Sequence, residues 1–297
     1  MQGRITQTWR YAGCVLFACV AALLTAMPVF GQKARPVTLV GAGDIAKCDS
    51  NGDEATARLV GKTPGLVFTL GDNVQGSGAA REFRDCYDPS WGKFKKRTRP
   101  AVGNHEYLTP GARPYYKYFG AKAGRAGRGY YSYKRGGWLV VVLNSNCEVV
   151  SCGPKSPQGR WLKKTLANNP VRCTVAMFHH PLFSSNSASP KVRPFWNVLY
   201  RERADVILSA HAHSYERFAP QRPNGKRDSN RGIRQFVVGT GGAEPLRPFQ
   251  PRPKNSVVRN DKTFGVIKLT LRNASYRWEF LPVAGKTFTD SGTGSCH

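Results

Sequence analysis

Short apolar runs recur along the chain, and many of them end on a small polar cluster. Residues 37–43 and 66–70 read as buried strands, and 99–102 as a shorter one. Two further runs, 130–134 and 138–143, flank Arg135-Gly136-Gly137 and predict a hairpin. The strand pattern resumes at 172–178, 206–208, 233–238, 264–271 and 276–281. Helical periods lie between these runs. Residues 53–60 carry acids in a first helical turn and meet Gly61 and Pro64 as stops. Ser156 and Pro157 supply a cap and a first-turn proline for a helix to about Ala167, and a third helix is expected near 194–203. Strands that first alternate with helices and later pair as hairpins predict an α/β domain of two packed sheets flanked by helices.

The polar clusters carry the chemistry. Asp44 lies in GAGDIA, Asp72 in Gly71-Asp72-Asn73, and Asn104 in Gly103-Asn104-His105-Glu106. His179 and His180 precede Pro181, and His211 and His213 form a His-x-His pair. Each cluster follows a strand-like run, and in α/β sheets such strand-end loops converge on one site. Carboxylate, amide and imidazole donors suit hard and borderline metals, and no Cys stands in any cluster. Taken singly, an Asp or Asn after a strand is ordinarily a cap or turn former. The two-residue spacing of His211 and His213 puts both on one face of an extended segment.

The order of these motifs, from GAGDIA to the GTGG at 239–242, resembles the calcineurin-like metallophosphoesterase superfamily and within it the purple acid phosphatase branch. GNHE and the HAHSYER stretch from His211 to Arg217 are the specific parts. The resemblance implies an αββα sandwich, two mixed β-sheets flanked by helices, with the metal site on loops at the C-terminal ends of strands. It implies two metal ions: Asp44 and His213 on the first, Asp72 bridging, and Asn104, His179 and His211 on the second. Fe, Mn, Zn or a mixed pair all suit this donor set. His105 would protonate the leaving oxygen while a hydroxide shared by the metals attacks phosphorus in line. Gln75, His180, Tyr215 and Arg217 are expected to flank the ligands or meet the substrate. One departure concerns the position three residues after Asp72. There the purple branch has an iron-ligating Tyr and this chain has Gln75, so the charge-transfer colour of that branch is not expected. Ala46 likewise cannot supply the Asp-x-His ligand of other branches.

Arg4 and Arg10 precede an apolar stretch at 15–27 in which Thr25 is the only plainly polar residue. A membrane span needs about 20 residues, so this stretch predicts a signal peptide at 1–31, cleaved near Gly31, followed by one phosphoesterase domain at 33–297 with no stable membrane span. Six cysteines follow the leader: Cys48, Cys86, Cys147, Cys152, Cys173 and Cys296. In an exported chain they predict disulfides, with Cys147–Cys152 favoured by proximity and Cys48–Cys86 placed to brace the metal loops. The formal charge of +27 favours phosphorylated small-molecule substrates and nonspecific polyanion binding. Its basic stretches lack the aromatic interleaving of a base-stacking surface, so no specific nucleic acid is expected. The reading is a secreted or periplasmic phosphomonoesterase. The alternatives are a phosphodiesterase or nucleotidase on the same scaffold, and a non-catalytic cationic phosphate-binding protein.

Overall fold

The computed structural model describes residues 1–4, 7–8 and 36–297. Apart from residues 1–4 and 7–8, the expected leader lies outside the described residues. No helix among the described residues is long and apolar enough to cross a membrane.

The chain builds two mixed sheets. In the first, β1 (Val37–Ala42), β2 (Leu66–Leu70) and β3 (Thr98–Ala101) run parallel. β1 also pairs antiparallel with β11 (Gly265–Leu271), which leads through β12 (Ser275–Pro282) to the edge strand β13 (Ser291–Ser295). In the second sheet, β5 (Trp138–Val142), β6 (Cys173–Met177), β7 (Val206–Ser209) and β9 (Arg234–Val238) form a parallel centre. The antiparallel strand β4 (Tyr131–Arg135) flanks it on one side, and β8 (Tyr215–Phe218) with β10 (Ser256–Asn260) on the other.

Strands with both faces covered alternate between two apolar environments, and those of the second sheet do so. Val140, Val142, Val175, Met177, Val206 and Leu208 pack in one core with Ile267 and Leu269 of the first sheet. Their neighbours Leu139, Val141, Ala176 and Ile207 pack in another with α4 (Pro157–Ala167) and α5 (Arg193–Arg201). On the first sheet, α1 (Gly52–Lys62) packs against β11. Two shorter helices, α2 (Ala80–Glu82) and α3 (Arg113–Phe119), stand in the β2–β4 segment.

Several local signals act as expected. The Ser156 hydroxyl accepts from Gly159 N at 3.0 Å to cap α4. Gly61, expected to end α1, is instead inside it; the helix ends where the Arg97 guanidinium donates to the carbonyls of Val60, Thr63 and Gly65. The hairpin over Arg135-Gly136-Gly137 forms, with Arg135 paired to Trp138. β13 escapes sequence reading because its residues, SGTGS, have poor strand propensity. Its glycines are required: a Cβ on Gly292 would fall 2.4 Å from the Trp278 ring and one on Gly294 2.4 Å from the Tyr276 ring.

Cys48–Cys86 and Cys147–Cys152 form the two expected disulfides, and Cys173–Cys296 a third. The third closes a separation of 123 residues and the second only 5. Loop-closure entropy then makes the contributions unequal, about 5 kcal/mol against about 2 kcal/mol. Urea unfolding of Cys173→Ser/Cys296→Ser should therefore show a larger stability loss than Cys147→Ser/Cys152→Ser. Equal losses would refute the entropic account of this crosslink.

Candidate metal centre

The loops that leave the parallel strands are sewn together before any side chain is considered. Asp44 N donates to Gly71 O, Ile45 N to Asp72 O and Ala46 N to Asn73 O, which joins the loops after β1 and β2. Gly43 N donates to Val238 O at 2.9 Å, and Gly241 N to Gly43 O at 2.9 Å, which ties that pair to the second sheet. Ala210 N donates to His179 O at 2.8 Å, which binds the two histidine loops together.

The backbone at the candidate ligands is unusual. Asp44, Asp72, His211 and His213 have φ of 55°, 47°, 67° and 35°. Left-handed conformations at non-glycine residues cost of order 1–3 kcal/mol each and concentrate at functional sites. Glycine is needed where backbone approaches these side chains. A Cβ on Gly103 would lie 2.1 Å from Asp72 Oδ1, and one on Gly239 2.5 Å from Asp44 Oδ2. The GTGG turn after β9 therefore has a positional role that its composition alone did not reveal.

The side chains on these loops converge. His179 Nε2 lies 3.1 Å from Asp72 Oδ2, 2.9 Å from Asn104 Oδ1 and 3.2 Å from His211 Nδ1. Its other nitrogen, Nδ1, is 2.8 Å from the Leu70 carbonyl, which can only accept. Nδ1 therefore carries a proton. Nε2 then faces a carboxylate oxygen, an amide oxygen and an imidazole nitrogen, and a single proton on Nε2 cannot serve all three. A cation accepting lone pairs from all four atoms resolves this conflict, so the donor set fits a metal.

A second group adjoins the first. Asp44, Asp72 and His179 place ligating atoms within 4.8 Å of one another. His213 Nε2 lies 3.6 Å from Asp44 Oδ1, and its Nδ1 is held at 3.2 Å by the Pro245 carbonyl. Gln75 Nε2 donates to Asp44 Oδ1 at 3.2 Å, so the residue at the position noted above reaches the Asp44 carboxylate. The six candidate ligands thus share one site, with Asp72 and His179 between the Asp44 and His211 sides.

Electrostatics follow from burial and mutual contact. Burial pushes Asp44 up. Burial would do the same to Asp72, but the His179 charge and hydrogen bond, with help from His105, hold it well below the usual carboxylate range. Desolvation disfavours charge on His179, and Asp72 and Asp44 overcome it, raising the imidazole to about 9. His211 is lowered to about 3 by burial and by His179. The protonated His179 beside Asp72 is the arrangement that a metal ion would replace.

His105 sits beside this cluster without joining it. Its backbone N donates to Asp72 Oδ1 at 2.8 Å, its Nδ1 is 2.8 Å from the Gly76 carbonyl, and its Nε2 is 3.9 Å from Asp72 Oδ2. His180 packs against His211 with ring centroids 4.5 Å apart, and its Nδ1 engages Ser145 Oγ at 2.9 Å.

Tyr215 and Arg217, expected to flank the ligands or meet the substrate, engage Asp290. Tyr215 is buried and donates to Asp290 Oδ2 at 2.6 Å, while Arg217 makes a two-point ion pair with the same carboxylate. Both tie β8 to the segment before β13, which commits the Tyr215 hydroxyl and two of the Arg217 nitrogens to Asp290. Glu216 is buried and accepts from Ser185 and Ser256, a structural role. The sequence reading missed Asn144, Ser145 and Asn146, a polar cluster at the end of β5 that braces the site through Asn146 Nδ2 to Gly103 O at 3.2 Å. They carry the same strand-end signal as the ligand loops but no charged or imidazole group.

Residues 21–215 match the family described as calcineurin-like phosphoesterase. Probable purple acid phosphatase 20 of Arabidopsis thaliana is 26% identical over 277 residues, covering 82% of this chain and 61% of that protein. Purple acid phosphatase 21 of the same plant is 26% identical over 299 residues, covering 88% and 65%. The chain spans about half to two thirds of the length of the curated relatives it matches. Among solved structures, purple acid phosphatase PPD1 from yellow lupin (Lupinus luteus) superposes with a TM-score of 0.71 at 19% identity, covering 89% of this chain and 54% of that one. GAP50, the anchor in the inner membrane complex of Plasmodium, gives 0.67 at 12% identity, covering 88% and 89%. At such identities these likenesses speak for the fold, and the two-sheet sandwich expected from the motifs is the one they share.

If Asp72 bridges two ions, Asp72→Asn should lower the metal-to-protein ratio measured by elemental analysis. Asp49→Asn, at an exposed residue paired with Lys47, should leave it unchanged. Full metal retention by Asp72→Asn would sink the bridging role.

Proposed function

Because this chain belongs to the calcineurin-like phosphoesterase family, we propose that it is an exported phosphomonoesterase acting at the cluster formed by Asp44, Asp72, Asn104, His179, His211 and His213. The family works with a dinuclear metal centre. Bound there, the ions supply charge neutralisation for the phosphoryl oxygens and lower the pKa of water towards 7.

The observation that carries the catalytic reading is the placement of His105. Gly76 fixes the ring through Nδ1, so Nε2 is the nitrogen turned towards the cluster, beside Asp72 and still partly open to solvent. A group so held is free to give a proton to a leaving oxygen, because Asn104, its neighbour, provides the ligand atom. Six metal-directed ligands without a proton source would describe a phosphate-binding protein; His105 supplies what that reading lacks. His179 is oriented by its Nδ1–H bond to the Leu70 carbonyl, which aims Nε2 into the cluster before substrate arrives. Export is supported by the three disulfides, which persist in oxidising compartments, and by the apolar segment at 15–27. The charge of +27 favours approach of phosphorylated substrates and nonspecific adherence to polyanions.

A panel of nitrophenyl mono- and diesters separates the monoesterase reading from a diesterase one; a preference for diesters would overturn it. His105→Ala should slow hydrolysis of esters with basic leaving groups by about 10²–10⁴-fold and affect activated nitrophenyl esters less. Metal content should be unchanged. Equal losses on both substrates would argue for phosphate binding in place of proton donation.

Gln75 generates a separate expectation. The iron-loaded protein should lack a strong visible charge-transfer band, since Gln75 has no phenolate to donate. A purple wild-type protein would show that another tyrosine has taken the position.

A further inference from the structure

Of the candidate ligands Asn104 lines a cleft of about 450 Å³, together with His180, whose ring packs on His211. That volume falls in the range of small-molecule sites. Part of its rim is apolar where water would favour polar residues. Among the described residues the large hydrophobics left exposed are Met1, Leu108, Val149 and Val257. Two of these four, Leu108 at 64% exposure and Val149 at 59%, line this cleft. Single exposed apolar residues need no explanation. A pair at the mouth of one cleft, beside a ligand cluster, is a different matter.

Both side chains are carried on braced loops. Leu108 ends the 3₁₀ turn His105–Leu108, so the proposed proton donor and the apolar lip belong to one turn. Val149 lies within the loop closed by Cys147–Cys152. The two loops are tied to each other: Asn144 Nδ2 donates to the Tyr107 hydroxyl at 2.7 Å, and Asn146 Nδ2 to Gly103 O. These bonds join the segments from which the two apolar side chains project. Lys191 and Glu148, an ion pair, also line the cleft.

We propose that this cleft receives the alcohol portion of the phosphoester and that Leu108 and Val149 make the enzyme selective for alcohols bearing a flat apolar group, such as a phenyl ring. This rests on the phosphoesterase reading of the neighbouring cluster. With phosphorus at the cluster and the leaving oxygen beside His105, the rest of the alcohol would pass Asn104, which lines the cleft, towards Leu108 at the far end of the same turn. Burying a ring edge against two aliphatic side chains is worth about tenfold in selectivity.

The test compares 2-phenylethyl phosphate with ethyl phosphate, both primary alkyl esters whose leaving groups differ little in basicity. The wild-type protein should favour the phenyl ester by about tenfold in kcat/KM, and Leu108→Ser/Val149→Ser should bring the ratio close to one. Val257→Ser, an exposed apolar change outside the cleft, should keep the wild-type ratio. Calorimetry with the corresponding phosphonates should give a parallel ratio of Kd values without turnover. All three residues are exposed, so folding is not at stake. A wild-type ratio near one, or a ratio that survives in the double variant, overturns the selectivity while leaving the phosphoesterase reading intact. Hydrolysis of neither ester by the wild-type protein overturns that reading, and the inference with it.

Discussion

The carboxylate of Glu106 is buried and accepts the backbone N–H groups of Asp72, Asn73, Val74 and Gly103. Two of the ligand loops, one from β2 and one from β3, are therefore organised around a single anion. Burial, with the negative charge of Asp72, pushes Glu106 up to about 7, and the donated hydrogen bonds work against that rise. A buried acceptor with this many backbone donors fixes both loops at once; its loss would leave several N–H groups without partners, each costing about 1–3 kcal/mol. The geometry of Asp72 and Asn104, on which the proposed chemistry rests, is set by a residue that need not touch substrate or metal.

That arrangement also explains how the strain at the site is tolerated. Left-handed backbone at Asp44, Asp72, His211 and His213 would relax in an isolated loop. Here the Asp44 carboxylate accepts from His211 N at 2.8 Å, and the Asp72 carboxylate from His105 N, so each strained carboxylate is anchored to a neighbouring loop. The constraint runs in both directions, since the loops hold the ligands and the ligands hold the loops. A pre-organised site of this kind needs little rearrangement when a cation or phosphoryl group arrives.

Much of this was legible in the sequence for a physical reason. Parallel strands buried on both faces must be continuously apolar, so their ends stand out, and polar residues placed there are visible against the background. Asp44, Asp72, Asn104, His179 and His211 all announce themselves in this way. Tyr215 and Arg217 misled because they follow His213 closely in sequence; once the chain enters β8 they turn to Asp290, a partner that no local pattern reveals. β13 was hidden because its strand character comes from the aromatic rings of Tyr276 and Trp278 covering its glycines. The apolar lip of Leu108 and Val149 was equally silent, since exposure is a property of the folded surface alone.

The pairing of β1 with β11 carries a consequence for how the molecule comes into being. β1 sits at the centre of its sheet, yet one of its two neighbours is drawn from far later in the chain. The crosslink from Cys173 to Cys296 joins β6 to the residue that follows β13 and closes later still. Contacts so distant in sequence are slow to form, because the intervening chain must first be brought together. A polypeptide emerging from a ribosome therefore cannot complete its first sheet until most of it has been synthesised. Oxidation at Cys296 would then register the arrival of the finished fold, since its partner Cys173 lies 123 residues earlier.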